Sequence, residues 1–186
     1  MKSTACTVQV RQGRAMKVLC LVATLFVAGC GGGGGDDQPP RTTISFRGAT
    51  GDYISQGESA KYSDVDSTVS TTYSAGYFRA SFEAPDLSHR WSIDLASPNG
   101  EPLVPGTYVD AWRAAFRNGH NGVDFYGDGR GCNEVFGSFI ILEIGYDSTG
   151  RLNRFAADFE QRCETVTSPQ LRGSVRINST ISPTYQ

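Results

Sequence analysis

The sequence predicts an all-β fold, a single antiparallel β-sandwich or open barrel of about 8–10 strands. Three observations predict it. Beyond residue 42 the chain is built of short runs that alternate apolar and polar side chains, as in His89, Trp91, Ile93 and Leu95 against Arg90, Ser92, Asp94 and Ala96. Turn formers punctuate these runs: Asn99 and Gly100 are a strong turn pair, and Pro98, Pro102 and Pro105 exclude helix around them. No apolar stripe of helical period is sustained over a useful length.

Taken in chain order, residues 1–29 read as an export signal, with the expected start at Met16. Lys17 is followed by the uncharged apolar stretch 18–28, then Gly29 and Cys30. A stretch this short describes a cleaved signal and not a spanning helix, which needs roughly 18 apolar residues or more. Val27, Ala28, Gly29 and Cys30 resemble the lipobox of bacterial lipoproteins. The resemblance implies cleavage before Cys30 and diacylation of its thiol, the only side chain there with a sulfur to carry the lipid. Residues 30–41 then form a tether, because the five glycines 31–35 and the prolines 39 and 40 cannot continue a helix. Gly31 after the cysteine resembles the sorting pattern for the outer membrane of a Gram-negative cell.

The domain proper is expected over residues 42–178, with 179–186 as a C-terminal tail. Candidate strands are residues 44–47, Ser59–Ser63, 68–73, Tyr77–Glu83, 89–96 and a strand reopening over 107–109 after Gly106. The clearest unit is a hairpin of residues 137–146 and 151–163, with Gly150 at the left-handed position of the turn. In its register Phe139, Ile141 and Glu143 face Phe159, Ala157 and Phe155, and Cys163 faces Val135. The first strand of the hairpin is apolar on both faces, which predicts a central strand covered on both sides.

Without residues 1–29 the chain keeps thirteen basic and nineteen acidic residues, a net charge of −6. The arginines are scattered, so no nucleic-acid footprint appears. Of five cysteines, Cys6 and Cys20 fall in the signal and Cys30 takes lipid. Cys132 and Cys163 remain, most simply as a disulfide in an oxidising compartment, reached if the chain bends at Gly131. The segment Gly127, Asp128, Gly129, Arg130, Gly131, Cys132 and Asn133, with Gly137, Phe139, Glu143 and residues 154–164, resembles a family of exported bacterial β-domains found in secreted proteins and lipoproteins. The likeness extends over residues 42–178. It implies compartment and fold, and carries over no catalytic or binding residue.

Four constellations bear on chemistry. Glu143, Asp158 and Glu160 lie close in the hairpin and could serve as acid and base, although its register sends Glu143 and Asp158 to opposite faces, with Arg154 and Arg162 nearby. Asp124, Asp128 and Asn133, interleaved with glycines, supply oxygen ligands suited to calcium, but equally form ordinary turns. His89 and His120 have no neighbouring ligand motif, and no serine sits in a nucleophile elbow. Tyr108, Trp112, Phe116, Phe125 and Tyr126 are aromatic candidates for stacking on a sugar or peptide, against the alternative of core packing. These features predict a lipid-anchored module of the cell envelope that binds or supports and does not catalyse. Its expected partners are the membrane, through Cys30, and a glycan or envelope protein. The alternative expectation is an envelope enzyme acting on glycan through carboxylates.

Overall fold

The computed structural model describes residues 39–185, so the lipidation expected at Cys30 lies outside the described residues. Among the described residues ten strands are present: β1 (Arg41–Gly48), β2 (Ser59–Ser63), β3 (Thr68–Ser74), β4 (Tyr77–Glu83), β5 (Arg90–Ala96), β6 (Gly106–Arg113), β7 (Asn121–Gly127), β8 (Val135–Tyr146), β9 (Leu152–Cys163) and β10 (Gln170–Ser179). They form one sheet in the order β2-β1-β10-β9-β8-β6-β7-β5-β4-β3. Every neighbouring pair is antiparallel except β6 and β7. A single 3-10 turn, Ala114–Phe116, joins that parallel pair. Among the described residues no helix is long and apolar enough to cross a membrane.

The sheet curls until its two halves share one core, which makes an open barrel with its seam between β2 and β3. Aromatic contacts measure the closure. Phe46 on β1 meets Trp91 on β5 with ring centroids 4.6 Å apart and Phe125 on β7 at 5.0 Å. Phe78 on β4 stacks on Phe155 of β9 at 3.9 Å. Period two explains why these rings point inward: Ile93 and Leu95, Phe78 and Phe82, and Val123 and Phe125 occupy alternate positions and are all buried. Gly173 on β10 is required by the same packing, since a Cβ there would lie 2.3 Å from the Phe159 ring.

The hairpin of β8 and β9 has the expected register from Val135↔Cys163 to Ile141↔Ala157. It then slips. Between Ile141 and Glu143 a bulge absorbs Leu142, so that Glu143 faces Ala156 and Ile144 faces Phe155. Two expectations are corrected by it. The unbroken apolar run does not mean coverage on both sides: Ile140 is 37% exposed on the outer face, while Ile144 packs against the core. Glu143 and Asp158 also come to share the outer face, because Ala156 and Asp158 lie two positions apart on β9. At the turn, Gly150 takes the left-handed φ of 80° that its position requires.

Cys132 and Cys163 are joined, with their Cα atoms 5.1 Å apart. The reversal that permits this is at Asp128 and Gly129, whose φ values are 48° and 77°, and not at Gly131. The expected tail is part of the packed structure. Thr184 and Tyr185 donate their backbone N–H groups to Ser174 Oγ, each at 3.1 Å, across the outer face of β10.

Candidate functional site

The outer wall of β3, β4, β5 and β7 is hydrophilic and concave, and the cavity over it measures about 780 Å³. Residues paired across strands share a face, so the register lays its chemistry out in rows. One row is hydroxylic: Ser70, Ser81, Ser92 and Tyr126 are successive cross-strand partners on the four strands. The Ser81 and Ser92 hydroxyls are 2.8 Å apart and hydrogen-bonded to each other. The next row is ionic, Arg79, Asp94 and Asp124 on β4, β5 and β7.

Asp94 is saturated. Arg79 donates to both of its oxygens at 2.6 Å, and the Tyr77 hydroxyl donates to Oδ2 at 2.8 Å. Burial and the neighbouring Asp94 carboxylate push the Tyr77 phenol well above its ordinary pKa, so it remains a donor. The hydrogen bond to Asp94 in turn holds Arg79 firmly cationic.

Asp124 differs. It is 6% exposed, Arg113 Nε donates to its Oδ2 at 3.3 Å, and its buried Oδ1 has no hydrogen-bond partner. Burial raises its pKa to about 6, against the opposing pull of Arg113. A carboxylate with one oxygen unspent, in the wall of an open cavity, is the group in this molecule best placed to accept a hydrogen bond from a ligand.

The upper rim is the turn after β7. Asp128 accepts from the Arg90 N–H at 2.8 Å and sits 2.8 Å from His89 Nδ1. Arg130 donates to the Ile54 carbonyl at 2.7 Å, and its guanidinium lies over the Trp91 ring, 5.7 Å from the ring centre. These contacts fix the rim to β5 and to the loop that caps the barrel.

The residues singled out from sequence are distributed differently. Asp124 and Tyr126 line this cavity, as does Asp128, but Asn133 is tied to Glu164 through its N–H at 2.8 Å. Among the described residues no cluster of three or more His, Cys, Asp or Glu side chains is arranged to hold a metal. Phe125 is buried in the core, whereas Tyr108 is half-buried, stacked on Phe139 at 4.4 Å with its hydroxyl bound to Val104. Trp112 is 36% exposed, stacked at 3.9 Å on His120, whose Nδ1 meets Asp110. With Phe116 it borders a separate, smaller hollow of about 360 Å³. The hairpin carboxylates each have an arginine: Glu143 with Arg154 at 3.5 Å, Asp158 with Arg176 at 2.8 Å and Glu160 with Arg172 at 3.6 Å.

Sequence reasoning missed Arg79, Asp94 and the serine row. The signal was present, since the outward positions of residues 77–83 and 90–96 are all polar or small, but nothing local says that β5 lies between β4 and β7. Comparison of the chain with family models, with curated proteins and with solved structures finds no match.

Proposed function

We propose that this chain is a lipid-anchored binding module of the cell envelope, tethered through Cys30, which holds its ligand in the cavity on β3, β4, β5 and β7. The observation that carries this reading is polarity along the barrel. The tether enters at Arg41, which pairs with Ser179 at one end of β1. The other end of β1, Gly48, lies beside Leu171, and the register runs on through Arg162 to Cys163 and its bridge to Cys132. The turn that forms the upper rim of the cavity leads directly into Cys132. The rim thus lies at the end of the barrel opposite Arg41, where the first strand begins.

A second reading, an envelope enzyme acting on glycan, is favoured by one observation: Asp94 and Asp124 face each other across β5 and β7, and Asp124 has a raised pKa. Hydrolysis of a glycosidic bond ordinarily needs two carboxyl groups with working oxygens. Both oxygens of Asp94 are held by Arg79 and Tyr77, which leaves one available carboxylate. One carboxylate binds a hydroxyl; it does not supply both acid and base. Binding is the better supported reading.

Two measurements test it. The full chain should partition with membranes and take up labelled palmitate, and Cys30→Ser should move it to the soluble fraction. The full chain in detergent should co-sediment with isolated peptidoglycan sacculi or be retained on an immobilised glycan panel. Retention on neither, or release of sugar fragments during incubation, would overturn the binding reading.

A further inference from the structure

Resting on that reading, we infer that the cavity's ligand is a neutral, extended oligosaccharide lying across the strands along the serine row, with one hydroxyl donated to Asp124 Oδ1. Three features of the wall argue for this chemistry in particular.

The first is charge balance. Arg79 is spent on Asp94, Arg113 on Asp124 at 3.3 Å, and Arg90 on Glu83 at 3.5 Å. The fourth arginine, Arg130, is bound to a backbone carbonyl and lies 3.9 Å from Asp128. With each cation matched, the wall has no surplus charge to attract a phosphate or a polycation. It is polar without being ionic in sum, which suits a ligand that is polar and uncharged.

The second is geometry. Ser70, Ser81, Ser92 and Tyr126 stand on four adjacent strands, so their Cα positions repeat at the strand spacing of about 4.8 Å, and the hydroxyls of Ser81 and Ser92 lean together to 2.8 Å. Such a track, perpendicular to the strands, offers a line of donor and acceptor groups across the wall. Hydroxyls donate and accept, and so do the hydroxyls of a saccharide. A peptide would instead align with strand edges, and this wall has no free edge until β3.

The third is the unspent oxygen. Leaving Asp124 Oδ1 buried without a partner costs the fold, and the neighbouring Arg113 is held to Oδ2 by one long hydrogen bond. A ligand hydroxyl entering beside Arg113 would supply the missing donor. A hydrogen bond to an ionised group is about twice as strong as a neutral one. The Tyr126 ring, at the same end of the row, offers a face for the sugar that makes this contact.

The test uses the full chain in detergent and isothermal titration with four probes: chitotetraose, cellotetraose, an oligogalacturonate tetramer and a tetralysine peptide. Binding of a neutral tetramer with little salt dependence is expected. Asp124→Asn should weaken it about 5–10-fold and Asp124→Leu should abolish it, with melting temperature unchanged or higher in the first variant. Ser92→Val should weaken it as well, whereas Trp112→Ala, on the separate hollow, should not. Binding of only the acidic or only the basic probe would overturn the inference and leave the binding reading standing. So would neutral binding that survives Asp124→Leu. Binding of no probe, together with no retention on sacculi or glycan panel, would overturn both. Cleavage of a probe would overturn the binding reading in favour of the enzyme.

Discussion

At the scale of single residues, the group that distinguishes this molecule is Asp124. Its carboxyl has a pKa of about 6 in the fold against an ordinary 3.8, because burial disfavours the charge. The folded state therefore binds the proton more tightly than the unfolded chain. This contribution to stability is complete below about pH 4 and is lost as the pH rises through 6, at a cost of about 3 kcal/mol once both states are ionised. Asp124→Asn removes that cost, which already contains the pull of Arg113, and leaves a neutral amide in the same buried position. The variant should be more stable than the parent by about 1–2 kcal/mol at pH 7.5, and the difference should vanish near pH 4. Urea titrations at the two pH values check this, and a pH-independent difference would contradict it. Gln161 is the opposite case, a buried polar residue wholly satisfied. Its Oε1 accepts from the Phe125 N–H and its Nε2 donates to the Phe125 carbonyl, both at 2.7 Å. The pairing of β6 with β7 ends at Val123, so Gln161 does for Phe125 what a neighbouring strand would have done. Gln161→Leu leaves two buried backbone groups without partners and should cost about 2–4 kcal/mol in urea unfolding.

At the scale of elements, the disulfide ties the end of β9 to the turn that forms the cavity rim, across a sequence separation of 31. Closing a loop of that length restricts the unfolded chain by about 3–4 kcal/mol. Replacing Cys132 and Cys163 together by alanine should lower the melting temperature by about 10 °C. Thiol labelling of the unreduced exported protein should find neither cysteine free. How far such elements are readable in sequence depends on whether the deciding interaction is local. The strands Ser59–Ser63 and Tyr77–Glu83 are legible to the residue, because turn formers bound them and alternation fills them. β10 is harder to read: Leu171, Gly173, Val175 and Ile177 alternate inward, but Gly173 looks like a break until Phe159 is known to lean over it. The bulge at Leu142 is invisible for the same reason, since an apolar run reads identically whether it is covered twice or slips once. The candidate site follows this rule. Asp124 stands out beside its glycines, whereas Asp94 and Arg79 become part of a site only once β4, β5 and β7 lie side by side.

At the scale of the whole molecule, the barrel has two polar walls that solve the same problem differently. On the wall of β9 and β10 the buried charge is covered by the chain itself. Arg176, 1% exposed, donates to Asp158 at 2.8 Å, to the Ala157 carbonyl at 2.7 Å, and to the carbonyls of Ile181 and Ser182 at 3.0 and 2.9 Å. Thr184 closes the arrangement from above, its hydroxyl donating to Asp158. On the wall of β4, β5 and β7 the corresponding ionic row has no such strap among the described residues, and Asp124 keeps an oxygen unspent. This contrast yields a prediction that separates a structural wall from a binding one. Deleting residues 180–186 removes the carbonyls that satisfy Arg176 and opens the Arg176–Asp158 pair to water. Some of the loss is recovered by hydration, so the net cost should be about 2–4 kcal/mol, read as a lower midpoint in urea. Because β8 and β6 stand between the two walls in the sheet order, ligand affinity at the Asp124 cavity should be unchanged in the truncated chain at temperatures where it remains folded. The pair of readouts is what decides: a truncation that leaves stability intact would deny the strap its role, and one that abolishes binding in a folded protein would place the ligand on the strapped wall instead.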